Sequence, residues 1–201
     1  MSIKLFRHQE LALNYMRANE GFALFLEQGL GKTLCALIRV GELLRDEEIE
    51  NCLVVCPKAV IGGWWGDVPL AEEYVDTNIS DYLTVTNYEQ LITKKGQTLY
   101  MDKQWDCVIL DESHYIKNKS AKRSKACFKL AMKAKYRYIL TGTPISNGKL
   151  ENIYSQYAFL YPKHNNRWVQ SEIFGTWTNF TKRYCILNQW YQPYRYINVD
   201  E

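Results

Sequence analysis

The amino-acid sequence predicts an α/β domain of three layers, in which a mainly parallel central sheet lies between helices. Apolar runs of strand length recur along the chain, FALFL at Phe22–Leu26, CLVVC at Cys52–Cys56 and CVIL at Cys107–Leu110. Their lack of polar alternation marks strands covered on both faces. Between them lie segments with apolar residues at helical spacing, and strands that alternate with helices pair in parallel. A glycine-rich turn between the first strand and the next helix places a candidate binding loop at one end of that sheet.

Taken in order, Leu11, Ala12, Tyr15 and Met16 form an apolar stripe that predicts an amphipathic helix over Gln9–Arg17. FALFL is the first strand, and Leu34, Leu37, Ile38, Gly41 and Leu44 give the helix after the loop. The acidic RDEEIE segment is a solvated connection to CLVVC, which ends at Pro57. Lys58–Asp67 predicts a helix anchored by Trp64 and Trp65, against which Gly62, Gly63 and Gly66 count, and Val68–Asp81 reads as irregular. YLTVT at Tyr82–Thr86 is a strand and Tyr88–Ile92 starts a short helix. CVIL delivers Asp111 and Glu112 at its carboxyl end.

Lys122, Lys125, Lys129 and Lys133 then recur at helical intervals opposite Cys127, Leu130, Ala131 and Ala134, as one cationic face that either tracks a polyanion or is simply solvated. Tyr138–Leu140 is a strand ending in TGTP at Thr141–Pro144, and Leu150–Phe159 is helical. Residues 1–162 form the main unit. Residues 163–201, with nine aromatic side chains, read as an extension of it, those aromatics being either core or a stacking surface for bases.

Hydrophobic residues make up 47% of the chain and aromatics 14%, ample for a core and incompatible with a disordered chain. Six cysteines without a CxxC pair read as reduced core residues, and Cys52 and Cys56 flank a buried strand pattern instead of a zinc site. With no secretory signal and no apolar run near ~18 residues, the expectation is a soluble intracellular monomer, cytoplasmic or at the nucleoid or nucleus, without a membrane partner. Charge is unevenly divided: Met1–Glu112 carries 10 basic and 18 acidic residues, Ser113–Glu201 15 basic and 4 acidic. Ser113–Leu150 has no acidic residue, a footprint that suits a polyanion.

The chemistry starts at LEQGLGKT, Leu26–Thr33. Gly29 and Gly31 let backbone N–H groups around Leu30 turn toward phosphate oxygens, the next helix aims its positive end there, Lys32 reaches the β and γ phosphates, and Thr33 offers a hydroxyl to Mg2+. The formal motif wants a glycine where Leu26 stands. Asp111 beside Glu112 fits nucleotide hydrolysis, the first carboxylate serving magnesium and the second the attacking water. Adjacent residues at a strand end point different ways, so the two divide the work. Thr141 and Thr143 are read either as a structural turn or as hydroxyls that sense both nucleotide and a second ligand. In a parallel sheet all three segments share one carboxyl edge.

Longer strings go further. RHQ at Arg7–Gln9, EQGLGKT at Glu27–Thr33, VVCPKAVIGGWWGDV at Val54–Val68, TNYE at Thr86–Glu89, DESHYIKN at Asp111–Asn118 and ILTGTPISNGKLENIYSQYAFL at Ile139–Leu160 span most of the chain. Together they resemble the motifs of the Swi/Snf-type ATPases, double-stranded DNA translocases of helicase superfamily two, and specifically their N-terminal RecA-like (P-loop NTPase) lobe. The resemblance implies ATP and Mg2+ as cofactors. It places Gln9 on adenine, Gly29–Thr33 on the phosphates, Thr33 and Asp111 on the metal, and Glu112 as general base with Lys32 in the catalytic site. It puts Lys58, Thr86, Tyr88 and Lys117 toward DNA and makes His114, Thr141 and Thr143 couplers of nucleotide state to DNA.

Gln28 stands where that family usually has methionine, and Ser113 where alanine or glycine is usual. The family has a second RecA-like lobe that supplies arginines and half of the DNA grip, and INVDE at Ile197–Glu201 resembles the segment just before it. The expectation is therefore an ATP-binding lobe with little hydrolysis of its own. Two other readings stand beside it: a nucleic-acid or protein docking module with a vestigial ATP site, and a lobe of a single-strand or RNA helicase.

Overall fold

The computed structural model describes residues 3–145, 149–164, 167–168, 174–187 and 193–196. Five parallel strands, β1 (Gly21–Leu24), β2 (Cys52–Cys56), β3 (Leu83–Asn87), β4 (Cys107–Asp111) and β5 (Tyr136–Leu140), form one sheet in the order β1-β5-β4-β2-β3. Helices α1 (Arg7–Arg17), α2 (Lys32–Arg45) and α3 (Ile61–Val75) cover one face. The short α4 (Lys94–Gly96), α5 (Lys122–Ala131) and α6 (Glu151–Leu160) lie on the other side of the chain's apolar layers.

Strand periodicity explains the layering. Cys52, Val54 and Cys56 of β2 pack into a cluster with Leu37, Ile38, Trp64 and Val75, while Leu53 and Val55 pack into a second cluster with Trp105, Phe128 and Phe159. Alternate side chains thus feed opposite faces, both apolar because both are covered. This is the predicted three-layer α/β architecture.

Three elements differ from the sequence reading. Strand β1 stops at Leu24, and Phe25 and Leu26 belong to the loop, because Thr141 N–H takes the Leu24 carbonyl and the Leu26 carbonyl turns to a lysine instead of a strand partner. Helix α3 runs on through Pro69 to Val75. Its stripe of Trp64, Val68, Ala71 and Val75 packs into the first cluster, and that burial outweighs the hydrogen bond Pro69 cannot donate. The close approach depends on Gly41 of α2, where a Cβ would lie 2.5 Å from Val75 Cγ2. Finally, Lys133 lies past the end of α5; it is exposed but its Nζ donates to the Met101 carbonyl at 3.1 Å, so the lysines carried by the helix itself are Lys122, Lys125 and Lys129.

Past α6, the described part of residues 163–201 holds two short hairpins, β6 (Lys163–His164) with β7 (Arg167–Trp168) and β8 (Cys185–Leu187) with β9 (Pro193–Tyr196), and helix α7 (Trp177–Tyr184). Phe174, Trp177 and Phe180 gather round Tyr154 of α6, and Phe180 is buried. The core reading holds for Phe180, while Phe174 and Trp177 are half-buried. The other six aromatics of the segment, Trp168, Tyr184, Trp190, Tyr191, Tyr194 and Tyr196, have side chains outside the described residues.

Candidate nucleotide site at the carboxyl edge

The glycine loop links the edge strand β1 to α2. Gly29 and Gly31 have φ of 81° and 73°, the left-handed region that costs other L-residues about 1–2 kcal/mol. Space decides Gly31 a second time. A Cβ there would sit 2.2 Å from Gln9 Nε2. Gln9 is itself buried and its Oε1 accepts from Phe6 N–H at 2.9 Å, which turns Nε2 toward the loop. With His8 Nε2 3.1 Å from the Leu30 carbonyl, the start of α1 roofs the loop. Inside the curve, Lys32 Nζ donates to the carbonyls of Leu26 and Glu27, each at 2.9 Å. Thr33 follows in the first turn of α2, half-buried.

Strand β4 carries Asp111 and Glu112 to the same edge, and the two carboxylates part company. Asp111 is buried; its Oδ2 accepts from Trp64 Nε1 at 2.9 Å and its Oδ1 from Glu112 N–H at 2.8 Å. Burial pushes its pKa above the ordinary carboxylate value, opposed by those two bonds and by the Lys32 ammonium, with the Glu112 charge adding to the rise. Glu112 turns the other way through a left-handed backbone, φ 48°. Its Oε2 accepts from Thr141 Oγ1 at 3.0 Å and lies 3.2 Å from His114 Nδ1.

The loop after β5 completes the edge. Thr141 Oγ1 accepts from Thr143 N–H at 3.1 Å and lies 3.3 Å from His114 Nδ1, and Thr143 Oγ1 lies 3.5 Å from the same nitrogen. A Cβ on Gly142 would meet the Leu26 carbonyl oxygen and Gln28 N at 3.4 Å, so this loop abuts the glycine loop. Gln9, the Gly29–Thr33 loop, Asp111, Glu112, His114, Thr141 and Thr143 are therefore one neighbourhood.

Of the residues expected to face DNA, Lys58 and Lys117 are exposed. Thr86 and Tyr88 are not: they are 3% and 0% exposed. The Tyr88 ring stacks on Tyr115 at 5.1 Å and its hydroxyl donates to the Asp111 carbonyl at 2.7 Å, so it braces the β4 terminus and offers no side-chain surface to a polyanion. Trp64, the partner of Asp111, is not among the predicted site residues. Its position on the helix after β2, the strand paired with β4, was the available signal. Among the described residues no helix is long and apolar enough to cross a membrane.

Comparison with known proteins bears on the family and the fold. Residues 70–194 match the model of the SNF2-related domain. The chain is 34% identical over 176 residues to the bovine DNA annealing helicase and endonuclease ZRANB3, covering 79% of this chain and 15% of that protein. It is 30% identical over 185 residues to the Schizosaccharomyces pombe ATP-dependent helicase fft1, covering 80% of this chain and 19% of that one. The Sulfolobus solfataricus SWI2/SNF2 ATPase core in complex with dsDNA superposes with a TM-score of 0.70 at 27% identity, over 92% of this chain and 39% of that one. The chain thus spans under a fifth of these curated relatives. It belongs to the SNF2-related family of helicase-like ATPases, and its sheet is the RecA-like fold of a SWI2/SNF2 core.

Proposed function

We propose that this chain is the ATP-binding lobe of a DNA-dependent ATPase that moves along double-stranded DNA, its site completed by a second RecA-like lobe. One observation supports this above the rest: a glycine loop curled round Lys32 Nζ shares its sheet edge with a carboxylate, Glu112, held by Thr141 and His114. In this reading residues 1–162 are the nucleotide-binding body and residues 163–201 extend it toward the partner lobe.

The residues fit magnesium-bound ATP. A loop with two left-handed glycines and an inward lysine suits phosphate, and the buried Asp111 carboxylate near that lysine suits a divalent ion. The loop amides and Lys32 hold the phosphates, Gln9 reads adenine, and Thr33 with Asp111 takes the ion. Magnesium, when bound, neutralises phosphate charge. Glu112 orients the attacking water and accepts its proton, with Thr141 and His114 fixing the carboxylate. Lys58 and Lys117 are the retained candidates for DNA phosphate, and His114, Thr141 and Thr143 couple the two ligands.

Titration with a fluorescent ATP analogue and magnesium tests the reading. Saturable binding is expected, removed by Lys32→Ala. Hydrolysis is slow, since a missing arginine costs on the order of 10³–10⁵ in rate. Glu112→Gln lowers the residual rate by a further ~10² or more with binding retained. No saturable ATP binding with DNA binding intact points to a docking module. Strand separation with a stronger RNA response by a two-lobed chain overturns the duplex-DNA substrate. Brisk DNA-stimulated turnover by these 201 residues alone removes the need for a second lobe.

A further inference from the structure

Ser113 lies between Glu112 and His114, fully buried, and its Oγ donates to Gln156 Oε1 at 2.6 Å. Gln156, on α6, is also fully buried. Its Nε2 donates to the Pro144 carbonyl at 2.7 Å and to the Asn152 carbonyl at 3.1 Å. Two carbonyls at the nitrogen fix which way the amide faces, and that in turn makes the Ser113 hydroxyl the donor. The next residue back, Ser155, donates to the Ile116 carbonyl at 2.5 Å. One turn of α6 therefore grips the turn that follows Glu112 at Ser113 and Ile116, and the threonine loop at Pro144.

A buried serine–glutamine pair is a costly way to fill space. Two apolar side chains of similar volume satisfy the same packing with no polar group to desolvate, so the pair's net contribution to stability is small. What it supplies is direction. A single amide sets the distance between the backbone that carries Glu112 and the loop that carries Thr141 and Thr143, the two sides of the hydrogen bond between Thr141 and Glu112.

We propose that Gln156 is a positioning residue, which through Ser113 and the Pro144 carbonyl registers the Glu112 turn against the threonine loop. It touches no substrate and acts on the reaction only by holding Glu112 and Thr141 in mutual reach. The proposal rests on the reading of Glu112 as the hydrolytic base.

The test compares Ser113→Ala, Gln156→Leu and the double variant in urea stability, MgATP binding, single-turnover hydrolysis and amide hydrogen exchange of residues 112–116 and 141–145. Each single variant is expected to lose about tenfold in hydrolysis, to keep ATP affinity within about twofold, and to exchange faster in both segments. The double variant leaves no orphaned partner within the pair, only the Pro144 carbonyl without its donor, and so regains part of the stability of the single variants but not rate. Recovery of both stability and rate by the double variant overturns the proposal, since the pair is then only packing. So does unchanged exchange at 141–145 in Ser113→Ala. If the unmodified chain binds ATP and hydrolyses none, the role of Glu112 fails, and the exchange data alone decide whether the two loops are linked.

Discussion

Thr141 Oγ1 donates to Glu112 Oε2 at 3.0 Å, which joins the residue just past β5 to the residue just past β4. The pair follows from the strand register. Asp111 is the last β4 residue in the ladder and faces Leu140, so the next residue on each strand emerges side by side. Thr141 is fully buried, so this hydroxyl has no water to fall back on.

Replacing Thr141 with valine keeps the shape and deletes the donor. Single-turnover hydrolysis is expected to fall about tenfold, the loss of roughly one hydrogen bond to a charged acceptor, with MgATP affinity little changed. Equal losses in binding and rate would place Thr141 on the ligand.

Trp64→Phe leaves the buried Asp111 carboxylate without its indole donor. A cost of about 1–3 kcal/mol is expected, read by urea unfolding near neutral pH. Phe is also smaller than the fully buried indole, so part of the loss is packing; the part that grows as Asp111 ionises is the hydrogen bond.

Stability should also carry the signature of Asp111 against pH. Its folded pKa is raised, chiefly by burial, so the folded state holds its proton to higher pH than the unfolded chain does. This contribution is favourable below the unfolded value near ~3.9 and is lost as pH rises through the folded one. Stability of Asp111→Asn minus that of the parent chain, followed by urea unfolding, therefore grows as pH climbs through that window and then levels off. A difference that shrinks with pH would show Asp111 to be stabilised as its anion.

Gly31→Ala meets both a left-handed φ of 73° and the Gln9 amide. Strain of about 1–2 kcal/mol plus the displaced side chain is expected to lower the unfolding midpoint. Adding Gln9→Ala should recover the steric part alone, so the double-mutant cycle comes out less than additive.

Much of this architecture was legible in the residues. Fully apolar strands such as CLVVC report two covered faces, and the glycine turn reports its loop because few sequences place Gly29, Gly31, Lys32 and Thr33 between a strand and a helix. What escaped was set by tertiary partners. Burial of Trp64, Val68, Ala71 and Val75 carries α3 past three glycines and a proline, which local propensity counts against it. Tyr88 is among the residues expected to face DNA, and its burial comes from tertiary partners, the Tyr115 ring and the Asp111 carbonyl. The left-handed turn at Glu112 has no compositional sign, since nothing about a DE pair announces a positive φ.

Gly41 has a reach beyond its own helix. The absent side chain lets α3 lie against α2, and α3 is what brings the Trp64 indole to Asp111. Gly41 seats the Val75 end of α3 and Trp64 stands near the other end, so a single helix joins the spacing deep in one layer to the carboxylate at the sheet edge.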